Sequence, residues 1–487
     1  MLLLFIVLPL AVAAVMPLLD RVSRRLPDAL ASLTVAALFA MECGYVTLVA
    51  GGEVVYWSAT KYGVPAGFSL MMDGLSLLFL VTISLVAFFC SIFSSTYMAP
   101  YGKKSTFYAL LLIMIAGMNG LVLTTDLFNL YVFLEVAAVA GYALVGFGQQ
   151  GDNVEGAFKY LMLSVVATTS ILLSLSFIYF MTGTLSLPLL ASQAGAAMNA
   201  KLIAVCIALF LMGFGLKIGV VPFHGWLPDA YPAAPAPISA MLSGILGKVT
   251  GIYALLRIVF SVFGLTPDIS HIFTVLGVAS MLVGALLAIG QTDFRRMLAY
   301  SSISQVGYMF LGFGTGTAMG IAAGLFHLFN HAVFKSLLFL DAGSTEYATG
   351  IRDLRKLGGI NNRLPITGLT TTIGVFSTAG VPPFNGFWSK LFVILALVGA
   401  QQYFVAVLAI GASILTLWYF LQMQRWAFYG KLTAGLEFIR EVPFGMAFAT
   451  FCLALLCLAI GLCYPWITAN LIEPGVTALM GAKMPLM

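Results

Sequence analysis

The sequence predicts an all-α, polytopic membrane protein with about fourteen transmembrane helices, and three observations support this fold class. First, 61% of the 487 residues are hydrophobic and 8% are charged, whereas a soluble domain carries roughly a quarter charged residues. Second, apolar runs of about 20 residues, long enough to span a bilayer, recur from end to end. Third, no linker or low-complexity stretch divides the chain, so we expect one membrane domain over residues 1–487.

The predicted spans follow one another with short loops between them. The apolar run at 1–19 is counted as a span because Arg21, Arg24 and Arg25 follow it, whereas a cleaved signal peptide has its basic region in front. Gly and Pro interrupt the run at 365–398, which predicts a broken helix there. The spans are 1–19, 28–50, 70–93, 105–124, 127–148, 157–181, 202–222, 236–259, 271–291, 296–313, 318–342, 365–398, 402–424 and 443–466.

Two stretches of the sequence occur twice. GYALVGFG at 141–148 matches GYMFLGFG at 307–314, an offset of 166, and GVVPFHGW at 219–226 matches GVPPFNGF at 380–387, an offset of 161. An offset of five helices reverses direction across the membrane, so the sequence predicts inverted repeats with two discontinuous helices. We expect N-terminal helices at 1–100, a first repeat at 105–260, a second repeat at 271–425, and a C-terminal helix and tail at 426–487.

The distribution of Lys and Arg between alternate loops predicts the orientation. One side carries few of them, namely Lys61, Lys201 and Arg257, with Lys483 in the tail. The other side is therefore expected to face the cytoplasm, with both termini outward from a cytoplasmic membrane. This placement explains the net charge of +5 without a nucleic-acid partner. The expected cytoplasmic side holds Arg21, Arg24, Arg25, Lys103, Lys104, Lys159, Arg295, Arg296, Arg352, Arg355, Lys356, Arg363, Arg425, Lys431 and Arg440.

The cysteines give no indication of a metal cluster or a disulfide framework. All six lie in apolar segments and none forms a C-x-x-C pair, so we interpret them as structural thiols. The sequence also has no nucleotide-binding loop. We therefore expect no cofactor, no bound metal and no chemistry of the chain's own.

Five ionisable residues within the predicted spans are the first candidates for function: Glu135, Lys217, Lys248, Lys335 and Lys390. A charge inside a bilayer costs a few kcal/mol or more of free energy, so each of these residues requires a functional or structural explanation. One clear acid cannot neutralise the positive charges of four lysines, so we do not expect all four lysines to stay protonated. A row of groups that alternate between charged and neutral forms could conduct protons.

Structural ion pairing and snorkelling remain the alternatives for such residues. Snorkelling suits Arg257 and Lys159, which lie near span ends, but it does not suit the deeper lysines. Asp73 and Asp126 lie at span starts, where an acid is favoured by the helix dipole. Glu42 is expected near the outer interface and is given no role.

His327, His331 and Lys335 have the spacing i, i+4, i+8, which places them on one face of a helix. We call these three residues the histidine stripe. Histidine titrates near neutral pH, which favours a proton relay. The spacing H-x-x-x-H also occurs in zinc sites, but no Glu follows the first histidine and no third ligand is evident.

The predicted helix breaks lie close to two of the lysines. Lys217 precedes Pro222 by five residues, and Lys390 follows Pro383 by seven. A break admits water where the protein lines a cavity, so each lysine could meet a half-channel. Asp229 follows the first break, where a turn-stabilising role is favoured over transport.

Several stretches resemble the antiporter-like family shared by complex I proton-pumping subunits, Mrp-type Na⁺/H⁺ antiporters and membrane-bound hydrogenases. The motif LYVFLE resembles most the corresponding motif of the Mrp D-type subunit and its hydrogenase counterpart. The matching stretches are MDGLSLLF at 72–79, DLFNLYVFLE at 126–135, LKIGVVPFHGWLPDAYPAAPAPISAMLSGILGK at 216–248, DFRRMLAYSSISQVGY at 293–308, HLFNHAVFKSLLFL at 327–340 and AGVPPFNGFWSK at 379–390.

The resemblance implies fourteen helices with two inverted five-helix repeats. It also implies a proton pathway made of a Glu135–Lys217 pair, a central Lys248, the histidine stripe and a terminal Lys390. Other membrane subunits, the lipid bilayer, protons and, as an open question, Na⁺ are the implied partners. Three hypotheses remain: a proton-translocating subunit of a larger complex, a self-sufficient cation/proton antiporter, and a membrane scaffold, which the buried lysines disfavour.

Overall fold

The fold is a bundle of long apolar helices. The computed structural model describes residues 1–19, 23, 25–59, 68–148, 151–193 and 200–481. The predictions made for Arg21, Arg24, Lys61 and Lys483 lie outside the described residues. The first half contains helices α1 (Leu4–Leu19), α2 (Leu26–Ala50), α3 (Gly74–Tyr97), α4 (Lys104–Leu123), α5 (Leu127–Val145), α6 (Gly151–Thr182), α7 (Leu187–Gln193), α8 (Ala200–Ile218), α9 (Leu227–Ala233), α10 (Ala236–Met241) and α11 (Ala254–Ile258).

The second half continues the bundle to the last described residues. Its helices are α12 (Pro267–Ile289), α13 (Phe294–Gly314), α14 (Ala318–Thr349), α15 (Pro365–Ala379), α16 (Asn385–Gly399), α17 (Tyr403–Ala427), α18 (Phe444–Leu462), α19 (Tyr464–Ile467) and α20 (Glu473–Met480). The predicted membrane fold is confirmed. A small antiparallel pair of strands, β1 (Val55–Ser58) and β2 (Ser69–Met72), was not predicted. β1 lies between two predicted spans, and β2 lies at the start of the span 70–93.

Eleven helices of the described part are long and apolar enough to cross a membrane. They coincide with eleven of the predicted spans. The other three predictions correspond to α1, to α13 and to the pair α15 and α16, which are shorter or more polar. The total of fourteen therefore stays a prediction.

Both predicted helix breaks are present, and they have the same local geometry. α8 ends at Ile218 and α15 ends at Ala379, so the two ends are related by the offset of the second repeated stretch. The next residue in each case is a glycine in the left-handed region, Gly219 with φ 77° and Gly380 with φ 87°, which a side chain would strain. After each glycine, a backbone N–H bonds to the carbonyl five residues before it, at 3.2 Å in the first break and 2.9 Å in the second. The two breaks are therefore structural equivalents.

The predicted span at 236–259 is a continuous helical rod over Ala236–Phe263, but it is not a regular α-helix. Between and after α10 and α11, the segments Leu242–Leu246, Lys248–Tyr253 and Val259–Phe263 form π-helical turns. Such wide turns are uncommon and often occur at functional sites. Apolar periodicity cannot distinguish them from α-helix, which is why the sequence did not predict them.

Several described loops meet at one end of the bundle. There, Phe294 N–H bonds to Arg352 O at 3.1 Å and Thr433 N–H bonds to Gly358 O at 3.2 Å. These segments belong to the loops rich in Lys and Arg, and we call this end the basic face. The loops expected to share a side are therefore neighbours in space.

Candidate functional site

Lys217 lies at the first helix break, one residue before the end of α8. Its side chain is 1% exposed, and its Nζ atom lies 3.5 Å from Oε1 of Glu135 on α5. Tyr142 Oη accepts a hydrogen bond from the same Nζ atom at 3.4 Å, and Ser164 Oγ accepts another. The structure thus brings the expected pair together. Glu135 is not the deeply buried acid that the sequence predicted, however, because 30% of its side chain is exposed at the protein surface.

Lys248 lies near the middle of the helical rod and is the first residue of the second π-helical turn. Its side chain is buried, and its Nζ atom donates a hydrogen bond to the carbonyl of Ser243. No carboxylate of the described residues forms an ion pair with it. The lysine is therefore held by a neutral acceptor, which stabilises the ammonium form less than a counter-charge would.

The histidine stripe lies on α14, and all three of its side chains are fully buried. Nδ1 of His327 lies 2.9 Å from Ser389 Oγ, whereas neither ring nitrogen of His331 has a hydrogen-bond partner in the described structure. Lys335 Nζ donates to Ser301 Oγ at 2.7 Å. The helical spacing therefore places these groups on one line, as the sequence predicted.

Lys390 lies on α16, just after the second break, and its side chain is buried. Its Nζ atom is 3.4 Å from the carbonyl of Ala379, the last residue of α15. The same atom is 4.7 Å from the ring centroid of Tyr308, a cation–π distance. The break thus supplies a free carbonyl to the lysine, as a helix end does.

Hydrogen bonds connect the histidine stripe to the second break. Asn330, on α14 between the two histidines, donates to the carbonyl of Asn385 at 3.1 Å. Asn385 Oδ1 in turn accepts from Ser377 on α15. The adjacent Gly386 is required here, because a Cβ atom would lie 1.8 Å from the Ser377 carbonyl oxygen. The close approach of the two half-helices therefore fixes the polar contacts of the break.

The structure corrects the interpretation of Arg257 and Asp73. Arg257 was expected to snorkel, but its side chain is 1% exposed, and NH2 bonds to Oδ1 of Asp73. Asp73 also caps α3 by accepting from Ser76 N–H at 2.9 Å, so the helix-start role was right but incomplete. The two residues are 184 positions apart, and no local pattern could have paired them.

Two further acids are fully buried. Glu42, expected near the outer interface and given no role, faces α3 from α2 and accepts a hydrogen bond from Ser84. Its helical spacing from buried Val35 and Leu38 was a signal that the sequence reasoning missed. Asp341 on α14 was not considered at all. The prediction that only one clear acid accompanies the four buried lysines was therefore wrong.

Ion pairs hold the basic face together. Arg295 was counted as a loop residue, but it lies in the first turn of α13, is buried, and pairs with Glu346. Glu346 also accepts from Arg352 at 2.6 Å. Asp229 forms an ion pair with Lys159 at 2.9 Å, which agrees with the structural role favoured from the sequence.

In the part of the chain that the structure describes, no group of three or more His, Cys, Asp or Glu side chains is placed to hold a metal ion.

Comparison with known proteins identifies the family. Residues 124–416 match the family described as NADH:quinone oxidoreductase/Mrp antiporter, TM. The chain belongs to this family. This antiporter-like subunit also matches, at residues 57–108, the family described as NADH-ubiquinone oxidoreductase (complex I), chain 5 N-terminus. The resemblance inferred from the sequence motifs is therefore confirmed.

Individual relatives cover most of the antiporter-like subunit. It is 35% identical to NADH-quinone oxidoreductase subunit N of Desulforudis audaxviator over 91% of this chain and 89% of the relative. It is also 35% identical to the Na⁺/H⁺ antiporter D-type protein of Alkalihalophilus pseudofirmus, over 78% and 76% of the two chains. Similarity at this level extends beyond the motifs to the whole fold.

Solved structures show the same architecture. A chain of the Mrp complex from Dietzia sp. superimposes with a TM-score of 0.91 at 29% identity, over 99% of this chain and 98% of that one. A chain of respiratory complex I from Thermus thermophilus superimposes with a TM-score of 0.77 at 27% identity, over 96% and 100%. The antiporter-like subunit is thus a multi-pass membrane protein.

Proposed function

We propose that this antiporter-like subunit translocates protons along a chain of buried groups. The chain runs from Glu135 and Lys217 through Lys248 and the histidine stripe to Lys390. The observation that carries the proposal is that Lys248 and Lys390 are buried beside neutral carbonyl oxygens. A buried lysine without a counter-charge can give up its proton and take it back, because neither form is locked in place.

The groups of the pathway are close enough to influence one another. His331 lies within electrostatic range of Lys248 and of Lys335, and His327 lies within range of Lys390. A positive charge at one position therefore disfavours a positive charge at the next. Such repulsion drives a proton onward from an occupied group toward a vacant one.

The two helix breaks provide the ends of the proposed pathway. Their matched geometry supports equivalent roles in the repeats at 105–260 and 271–425. Lys217 lies before the first break and Lys390 lies after the second. Because the repeats are inverted, the breaks are expected to open toward opposite membrane faces. One lysine would then receive protons from one side, and the other would release them to the other side.

The proposal includes a larger complex. Relatives and structural neighbours are named as subunits or parts of such complexes, among them the Mrp complex and a membrane-bound sulfane sulfur reductase. The sequence offers no nucleotide-binding loop or cysteine cluster that could supply energy. The chain would therefore either couple two ion gradients or be driven by partner membrane subunits, and the names of these relatives favour the second. We place the chain in the cytoplasmic membrane, with its basic face inward and both termini outward, on the positive-inside rule.

The test is proton transport by the complex purified with this chain in mild detergent and reconstituted into vesicles that contain a pH-sensitive dye. Lys217→Ala is expected to abolish most of the proton flux. Lys159→Ala is the matched control, because Lys159 lies on a neighbouring helix with 43% of its side chain exposed. Near-normal flux in a well-expressed Lys217→Ala complex would contradict the proposal.

A second candidate function is self-sufficient exchange of Na⁺ for protons, which the name of the Na⁺/H⁺ antiporter relative suggests. The same assay on the chain alone distinguishes this function from transport by a larger complex. We expect the isolated chain to transport little. Full exchange of Na⁺ for protons by the isolated chain would instead establish a self-sufficient antiporter.

A further inference from the structure

Asp341 is a buried carboxyl group that the pathway described above does not use. It lies on α14 six residues beyond Lys335, and its side chain is 0% exposed. Thr370 Oγ1 on α15 donates a hydrogen bond to Oδ1 at 2.9 Å. The second oxygen, Oδ2, has no hydrogen-bond partner of good geometry, and no cation of the described residues pairs with Asp341.

An unpaired buried carboxylate is costly, whereas a neutral carboxyl group is not. The site of Asp341 therefore suits a carboxyl group that carries a proton. Eight residues separate Asp341 from the end of α14 at Thr349, which places it about 12 Å below the basic face along the helix. A proton bound there would need a route through the protein.

Such a route leads from Asp341 to the basic face along α15. Thr367, Thr370 and Thr371 have the spacing i, i+3, i+4 and form one buried hydroxyl face of this helix. At the start of α15, Thr367 Oγ1 donates to Oε1 of Glu441 at 2.7 Å. Glu441 is half-buried and precedes α18 at the basic face, so it can exchange protons with water.

A second set of contacts leads from Asp341 toward the helix break. The thiol of Cys457 on α18 faces Ser377 Oγ and lies within electrostatic range of Asp341. Ser377 donates to Asn385, which also accepts from Asn330 beside the histidine stripe. Among the described residues, Glu441 and Cys457 are the titratable groups that interact with Asp341 from the elements packed against it. The carboxyl group thus stands between the basic face and the second break.

We propose that Asp341 is a further proton-carrying residue, which passes protons between Glu441 at the basic face and the second helix break through the hydroxyl groups of α15. This inference rests on the proposed function.

In each transfer, a hydroxyl group gives its own proton to the next oxygen and takes one from the oxygen before it. The hydroxyl groups of Thr370 and Thr367 are not bonded to each other, because Thr370 donates to the Thr367 carbonyl, so we place one water molecule between them as the carrier. Asp341 takes up the arriving proton and releases a proton to the Cys457 thiol, which gives its own proton to Ser377, so no net charge accumulates.

A purely structural role predicts different behaviour. As a link between α14 and α15, Asp341 needs only an acceptor for the Thr370 hydroxyl. Asp341→Asn keeps that acceptor in its amide oxygen but cannot carry a proton. A structural residue should therefore tolerate Asn, whereas a proton carrier should not. Asp341→Glu restores a carboxyl group and should recover part of the function.

The experiment measures proton flux in vesicles reconstituted with the complex that contains this chain. Asp341→Asn is expected to lower the flux by at least about tenfold, with assembly unchanged on size-exclusion chromatography, and Asp341→Glu to retain more of it. Thr370→Val should slow the flux several-fold. Thr372→Val is the matched control, because its hydroxyl bonds only to Gly368 O on the same helix and lies off the buried face.

The outcomes separate this inference from the proposed function. If the unaltered complex moves protons and Lys217→Ala stops it, full flux in assembled Asp341→Asn overturns the role of Asp341 alone. If the unaltered complex moves no protons, the proposed function itself fails, and the inference fails with it. If the complex with Asp341→Asn does not assemble, the flux of the Thr370→Val complex tests the inference instead. Full flux in that variant would exclude the hydroxyl route. Infrared difference spectra of the complex should also lose a protonated-carboxyl band in Asp341→Asn and shift it in Asp341→Glu.

Discussion

Neutralising Glu135 should slow proton transport, because this residue supplies the counter-charge that the structure places beside Lys217. The Nζ and Oε1 atoms are 3.5 Å apart. Two unit charges at that separation attract by roughly 5 kcal/mol at an effective dielectric constant of about 20. Part of this attraction offsets the cost of holding both charges away from water, so we take about 2–3 kcal/mol as the loss when Glu135 is neutralised.

Glu135→Gln preserves the shape of the side chain and removes its charge. A loss of about 2–3 kcal/mol lowers the occupancy of the protonated lysine, and with it the flux, by roughly 30- to 150-fold. Tyr142 and Ser164 still accept hydrogen bonds from Lys217, so the helix break should keep its structure. The assay is the initial rate of dye quenching in vesicles under an imposed pH gradient, normalised to the amount of assembled complex.

Glu155→Gln is the matched control for charge. Glu155 lies on the adjacent α6, its side chain is 64% exposed, and it pairs with Lys159 at 2.7 Å. Exposed pairs contribute about 0–1 kcal/mol, so this variant should transport within a few-fold of the unaltered complex. If Glu135→Gln behaved like Glu155→Gln, the attraction between Glu135 and Lys217 would not control transport, and the reasoning would be refuted.

Three other variants test separate parts of the structure. His331→Ala should slow transport and leave the metal content at zero by mass spectrometry; stoichiometric zinc that disappears in this variant would replace the relay by a metal site. Lys390→Arg should block transport in an assembled complex, because arginine does not release its proton, and full flux would exclude Lys390 as an obligatory carrier. Arg257→Met leaves Asp73 buried without its partner, which should cost about 3–5 kcal/mol of stability in thermal unfolding; a loss no larger than that of Lys159→Met would show that the buried pair is not needed.

The local features of the candidate site could be predicted from the sequence. The stripe of His327, His331 and Lys335 follows from helical spacing alone, because residues four apart share a face. The two breaks follow from Gly and Pro that occur close together in apolar runs, since proline removes a backbone donor and glycine adopts the left-handed conformation at a helix end. The repeated stretch GVVPFHGW and GVPPFNGF was sufficient to predict that the breaks are equivalent, and α8 and α15 do end at matching points of the two copies.

The partners of buried charges could not be predicted in this way. Arg257 and Asp73 lie 184 positions apart and meet only because α3 packs against the helical rod. Sequence reasoning treated Arg257 as a residue at a helix end, where snorkelling is usual. It also overlooked Asp341, because the position of an acid along a helix gives no sign of which neighbouring helix it faces.

The sequence by itself determined that the chain spans a membrane many times, where its helices break and that four lysines lie within the apolar spans. These properties depend on composition and on short-range geometry, which each segment carries with it. Only the tertiary structure decided which groups touch, that Glu135 is partly exposed while Glu42 is buried, and that hydroxyl groups on one face of α15 contact both Glu441 and Asp341. The reason is physical: contacts between helices depend on how whole faces pack together, and no single segment contains that information.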